Sequence, residues 1–182
     1  GGNSPFIVFD DSDIDTAIET AVASRLLNSG QACICAKRFY FQASIFNECI
    51  KKFIDKMNQS LLFGDPAKES TTMGPLARPD IKATLTNQLN RSSFNSDDIL
   101  YQYNGHLESD NHIAPMLIDG RRLPNTDPLI TEELFGPIAV CQSFDTPDAA
   151  IQLANSTEFG LGATIFTTND TIKRQCTADI DT

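Results

Sequence analysis

The 182-residue sequence contains no tryptophan, only two histidines and three methionines. The scarcity of histidine excludes the most. His106 and His112 stand six apart with no thiol near either, whereas a structural zinc site needs four ligands at short spacings, so no metal is expected. The five cysteines (Cys33, Cys35, Cys49, Cys141 and Cys176) are odd in number and lack framework spacing. They have the character of reduced cytosolic thiols rather than staples, which points to a cytoplasmic protein. Long apolar runs are missing too. "PFIVF" and "GATIF" are strand-sized, and a bilayer-spanning helix needs about 20 apolar residues. No basic-then-apolar leader is visible ahead of the first strand. Basic side chains are outnumbered, 14 Lys and Arg against 24 Asp and Glu, for a net charge of −10. Such a surface repels phosphate backbones and anionic lipid, so neither nucleic acid nor a membrane is expected as a partner.

The sequence does carry the composition of a globular protein, 41% apolar and 21% charged, without repeats or a composition shift, and residues 1–182 are read as one domain. Pro5 to Phe9 predicts a strand. Ile14, Ala17, Ile18, Ala21, Val22 and Leu26 recur at helical spacing, with Ser12 and Asp15 resembling a capping box ahead of them. Asn28-Ser29-Gly30 ends that helix. Ala36 to Gln42 predicts a strand, and Ser44 to Gln59 a helix whose apolar stripe includes Cys49. A third helix is expected from Pro79. Further strands are expected at Ile99–Tyr103, Ile113–Ile118, Ile138–Phe144 and Ala163–Thr167. Helices are expected over Thr146–Asn155 and from Asn169. Alternating strands and helices imply an α/β fold with a largely parallel sheet. "GLG" at Gly160–Gly162 precedes a strand and lacks a third glycine, so it is not a dinucleotide fingerprint.

The chemistry concentrates in "NSGQACICAKRFYF", Asn28 to Phe41. A cysteine between a glycine turn and a strand has ordered backbone behind it and space ahead, and its own N–H can face a developing oxyanion. The reactive form is thiolate, which partial exposure and oriented amides favour. These features make Cys33 or Cys35 a nucleophile without choosing between them. Cys49, Cys141 and Cys176 read as packing residues.

"LLNSGQACICAK" resembles the active-site motif of the aldehyde dehydrogenase superfamily, Gly-Gln-x-Cys. Three further stretches agree in order. "GGNSPFIV" is similar to the tail of the Glu-Leu-Gly-Gly-x-x-Pro motif, "TEELFGPIAV" to Glu-Glu-x-Phe-Gly-Pro, and "NSTEFGLGATIFTTND" to Asn-x-x-x-(Tyr/Phe)-Gly-Leu. The wording of "AKRF", "MGPLARPD" and "FGLGATIFTTND" resembles the bacterial succinate-semialdehyde dehydrogenase branch.

The resemblance implies a catalytic domain with a three-layer αβα arrangement and NAD(P)-dependent oxidation of a small aldehyde, a semialdehyde by branch. Cys33 becomes the nucleophile, forming a thiohemiacetal and then a thioester. Glu133 and Phe135 become cofactor-binding residues, at the nicotinamide ribose and ring. Cys35 is either a buried structural thiol or a redox partner of Cys33, as in some relatives with a Cys-x-Cys pair. In a flat strand two such Cα atoms lie about 6.5–7 Å apart, at the upper edge of the roughly 4.4–6.8 Å that a disulfide spans.

By the same resemblance the water-activating Glu stands two residues ahead of Gly1. The NAD- or NADP-binding domain lies further upstream, and an oligomerisation segment follows Thr182. The chain is then a fragment, inactive alone, of a homo-oligomer (dimer or tetramer). Leu27 stands six before Cys33, where the branch carries an Arg for the substrate carboxylate. Arg25 is about 200° away around an ideal helix. Two alternatives carry less of the pattern. One is a cysteine hydrolase using His106 or His112. The other is a non-catalytic truncated module or pseudoenzyme that binds partners through the family dimer surface.

Overall fold

In the computed structural model, which describes residues 1–182, strand alternation sets the layering. Strand β1 (Pro5–Val8) sends Phe6 and Val8 to one side and Ile7 to the other, all fully buried. The same period sends Phe39 and Phe41 of β2 (Arg38–Gln42) to the first side and Tyr40 to the second. Burial on both faces requires helices above and below. On the first face lie α1 (Ile14–Leu26) and α2 (Phe46–Ser60), whose Ala17, Val22, Cys49 and Phe53 pack with Phe6, Phe39 and Ala139 in a cluster of 21 buried residues. The Phe53 ring stands edge-on to Phe39, 5.2 Å between centroids. On the second face lie α3 (Pro79–Arg91), the single turn α4 (Pro128–Thr131), α5 (Pro147–Ala154) and α6 (Asp170–Asp179).

The remaining strands are β3 (Ile99–Gln102), β4 (Met116–Asp119), β5 (Ile138–Phe144) and β6 (Thr164–Phe166), and the six lie in the order β3-β4-β5-β2-β1-β6. Every neighbouring pair is parallel except β3 with β4. The fold is the expected largely parallel three-layer α/β arrangement. No helix is long and apolar enough to cross a membrane.

Several boundaries differ from the sequence reading. The cap of α1 is Asp13, whose carboxylate accepts the N–H groups of Asp15 and Thr16, while Ser12 donates back to the Phe9 carbonyl. The strand expected from Ala36 begins at Arg38, because Ala36 and Lys37 leave the cysteine loop in non-strand backbone. That expected from Ile113 begins at Met116, one residue past Pro115, which has no N–H to give a ladder. The turn α4 was not anticipated. Its signal is Asp127-Pro128: the Asp127 carboxylate accepts the Leu129 N–H, and the proline occupies the first helical position.

Candidate active site

The cysteine loop leaves α1 through three successive left-handed residues: Asn28 (φ 51°, ψ 43°), Ser29 (φ 57°, ψ 32°) and Gly30 (φ 77°). Asparagine tolerates this region and glycine is free in it, but serine is strained there at roughly 1–2 kcal/mol. The surroundings hold the conformation. The Ser29 hydroxyl donates to the Gly74 carbonyl (2.9 Å), and the Gln31 carboxamide accepts the Ala77 N–H (2.8 Å) while donating to Asn28 O (3.0 Å). The "MGPLA" stretch, Met73 to Ala77, thus buttresses the loop from outside. At Gly30 a Cβ would fall 2.3 Å from the Gly136 carbonyl oxygen, so only glycine fits.

After this turn the chain makes a tight bend from Ala32 to Cys35, closed by the Cys35 N–H to the Ala32 carbonyl at 3.1 Å. The bend separates the two thiols. Cys33 is exposed; Cys35 is 1% exposed, its Sγ 3.6 Å from the Leu27 carbonyl. Both are free, and both lie ahead of the strand, at the loop-to-strand junction that the sequence predicts. Ile34, 66% exposed, borders a small cavity of about 110 Å³ with Ser4, Ala36, Leu161 and Thr164.

Behind the bend lies a cluster of charge that the sequence reading did not single out. Lys37 is fully buried, and its ammonium donates to the carbonyls of Ala32 (3.2 Å), Cys33 (3.0 Å) and Cys35 (3.0 Å). Glu133 Oε1 is 3.5 Å from the same nitrogen and accepts the Gly2 N–H at 3.0 Å. Burial is the main cause lowering the Lys37 ammonium below its usual range; the Arg25 charge adds to it, and Glu133 and Cys35 oppose it. Arg25 is also fully buried and points inward, donating to the Gly30 carbonyl at 2.8 Å. Its pKa is pushed down to about 10 by burial, with Cys35 and Glu133 acting the other way.

Leu27, by contrast, is half exposed on a cavity of about 350 Å³ shared with Val22, Leu26, Lys56 and Thr72. It caps α1 with ψ at 120°, outside helical geometry, so the ideal rotation between it and Arg25 does not strictly apply. The one cation lining this cavity, Lys56, is already engaged by Glu19 at 2.7 Å.

Glu133 is held from both sides. Gln88 of α3 donates to the Glu133 carbonyl and to Glu132, Arg91 grips Glu132 (2.7 and 2.9 Å), and Asn3 donates to the Ile130 carbonyl. The Glu133 Oε2 accepts no hydrogen bond from the chain and packs against Gly1, where a Cβ would fall 2.1 Å from it. Phe135 is half-buried beside Ile81, Thr84, Leu85 and Gln88 on a cavity of about 180 Å³. Neither Glu133 nor Cys33 lines the cavity on which Phe135 sits. The structure brings Cys33 and Glu133 together through Lys37.

His106 is exposed, and His112 is buried with neither ring nitrogen hydrogen-bonded; neither bonds to a thiol. No three of the His, Cys, Asp and Glu side chains gather to hold a metal ion. Burial raises the other three thiols, Cys49 to about 12, and Cys141 and Cys176 in the same direction.

The "Aldehyde dehydrogenase family" model matches residues 1–182. A "Probable succinate-semialdehyde dehydrogenase", NADP(+)-specified, from Synechocystis is 39% identical over 93% of this chain and 37% of its own length. The Escherichia coli succinate semialdehyde dehydrogenase, named for NAD(P)+, is 36% identical over 100% and 38%. Among solved structures an E. coli NADP-dependent enzyme superposes with a TM-score of 0.89 at 31% identity, covering 100% of this chain and 37% of that one. A lactaldehyde dehydrogenase superposes with 0.86 at 30%, covering 100% and 38%. The chain thus spans little more than a third of the length of the relatives it matches. With a family model matched from end to end, the chain belongs to the aldehyde dehydrogenase family.

Proposed function

We propose that the protein containing this chain oxidises a small aldehyde to its carboxylic acid with NAD or NADP, and that Cys33 is the nucleophile. The observation that carries this is the exposed Cys33 on a bend fixed by buried hydrogen bonds, within a family match over the whole chain. The Cys33 thiolate adds to the aldehyde carbon, forming an S–C bond and an oxyanion that the Cys33 N–H faces. The nicotinamide, when bound, supplies the hydride acceptor; Glu133 and Phe135 would hold its ribose and ring. Loss of hydride from the carbon leaves a thioester on Cys33, which water cleaves to the acid and free thiolate. A general base must activate this water, the part that a Glu ahead of the Gly-Gly pair plays in the family motif. In the full-length protein, Cys33→Ala should abolish aldehyde-dependent reduction of the cofactor. Retained turnover would refute the assignment. The 182-residue chain by itself is expected to show none.

The names of the relatives favour a semialdehyde as the substrate class. Leu27 gives a substrate carboxylate no charged partner, a contact worth roughly 1.5–3 kcal/mol. Leu27→Arg should raise kcat/KM for succinate semialdehyde about tenfold or more relative to butanal, by that same contact. An unchanged ratio would place the carboxylate elsewhere.

Cys35 serves as a redox partner only if the Ala32–Cys35 bend opens, because its sulfur is buried while Cys33 is exposed. Mild peroxide would then join the two sulfurs, taking up both hydrogens, with a peptide mass loss of about two daltons reversed by dithiothreitol. If Cys35→Ala is inactivated and rescued just as the parent is, Cys35 only packs. The reading also carries a cytoplasmic location, consistent with five unpaired thiols, and a dimer or tetramer as the assembled state.

A further inference from the structure

We propose that Lys37 is a positioning residue that strengthens the oxyanion donor at Cys33, by polarising the peptide that carries it. The inference rests on Cys33 as the nucleophile.

The carbonyl of Ala32 and the N–H of Cys33 belong to one peptide unit. The Lys37 ammonium donates to that carbonyl at 3.2 Å, while the Cys33 N–H has no acceptor within the chain. A positive charge on the oxygen end draws electron density from the nitrogen end and makes the N–H a stronger donor. This is the cooperative effect that links hydrogen bonds in series, enlarged by low local dielectric. The same ammonium holds the Cys33 and Cys35 carbonyls at 3.0 Å each, so the bend cannot rotate the N–H away as charge develops. Three donors on one atom match three carbonyls converging on one point, which no neutral side chain supplies.

Cost argues the same way. A fully buried ammonium with Glu133 at 3.5 Å and the Arg25 charge acting against it is an expensive way to brace a bend. It becomes intelligible if the charge acts on a group that must meet a negative oxygen. The adjacent Arg38 shows the alternative. It is equally buried but faces away, donating to the Leu153 and Ala154 carbonyls that end α5, and serves the fold.

The test separates oxyanion stabilisation from thiol reactivity. Alkylation of Cys33 by iodoacetamide needs the thiolate but forms no oxyanion, whereas aldehyde oxidation needs both. In the full-length enzyme Lys37→Met keeps length and removes charge, and Lys37→Gln keeps N–H donors without charge. Methionine should lower kcat/KM for the aldehyde about 10- to 100-fold, short of the 10²–10³ for removing a donor outright. Cys33 alkylation at the same pH should stay within about threefold of the parent. Glutamine should fall between, and if the methionine variant does not fold, glutamine alone gives the same reading. Turnover unchanged in both variants, or alkylation falling by the same factor as turnover, would overturn the proposal. Turnover surviving Cys33→Ala would instead remove the nucleophile on which it rests.

Discussion

Cys33 and Cys141 are one side chain in two surroundings. Cys141 sits on the inner strand β5, fully buried beside Asp119 of β4 and the 21-residue apolar cluster, and is raised well above the ordinary thiol range, chiefly by burial and then by the Asp119 charge. Around it the structure is regular, held by strand alternation and by aromatic contacts such as Phe39 with Phe53. Cys33 sits on irregular backbone, exposed, with three left-handed residues ahead of it and buried charge behind. The core tolerates a sulfur because nothing there can react. The loop around Cys33 is arranged at a cost in strain and desolvation, and leaves its sulfur open to solvent. Stability and reactivity are therefore separable, and substitutions in the two regions should move different observables.

The largest effect on stability belongs to the core. Phe53→Ala removes a fully buried ring and should cost about 3–5 kcal/mol in denaturant unfolding. The order in which Cys33 and the buried thiols are alkylated in the folded protein should not change. A reversal in that order would mean that the two regions are not separable.

Gly30→Ala should cost somewhat less, roughly 2–4 kcal/mol from a left-handed alanine and a clash with the Gly136 backbone. It should nevertheless slow Cys33 alkylation or turnover far more than Phe53→Ala does, because it displaces the bend itself. Equal effects of the two substitutions on Cys33 would blunt the contrast.

The smallest effect is pH-dependent. Burial raises the Asp127 carboxyl, but hydrogen bonds from the Ser93 and Leu129 N–H groups and from serine hydroxyls outweigh it, and the net direction is down. A lowered folded pKa contributes stability above the unfolded value of about 3.9, lost as pH falls through the folded value. Asp127→Asn should therefore cost about 1–2 kcal/mol at neutral pH. The gap should narrow below about pH 4 as the native carboxyl takes up its proton. A pH-independent difference would show that the carboxylate charge is not what caps α4.

The strands and the longer helices were legible because both faces of the sheet are buried, so side-chain period reports layer directly. The unbroken apolar run Pro5 to Phe9 reads as a strand for that reason, while the side each residue takes, Phe6 and Val8 against Ile7, comes from the structure. Cys33 and Glu133 could be singled out through motif spacing, and the structure places the first exposed on the bend and the second 3.5 Å from the Lys37 ammonium. Lys37 and Arg25 could not be singled out. A basic residue near the start of a predicted strand reads as a surface charge, and only the curl of three carbonyls around one nitrogen shows otherwise. The same holds for the opposed burial of Cys33 and Cys35. Their spacing alone does not show the Ala32–Cys35 bend that separates them, and the turn leading into it is held by hydrogen bonds from Ser29 and Gln31 to residues more than forty positions away, Gly74 and Ala77.

Cys33 as the reactive thiol is the central claim. Limiting iodoacetamide near neutral pH, followed by mass spectrometry of the cysteine peptides, tests this most directly. The label should appear on Cys33 before Cys49, Cys141 or Cys176, and earlier labelling of any of those three would contradict the account.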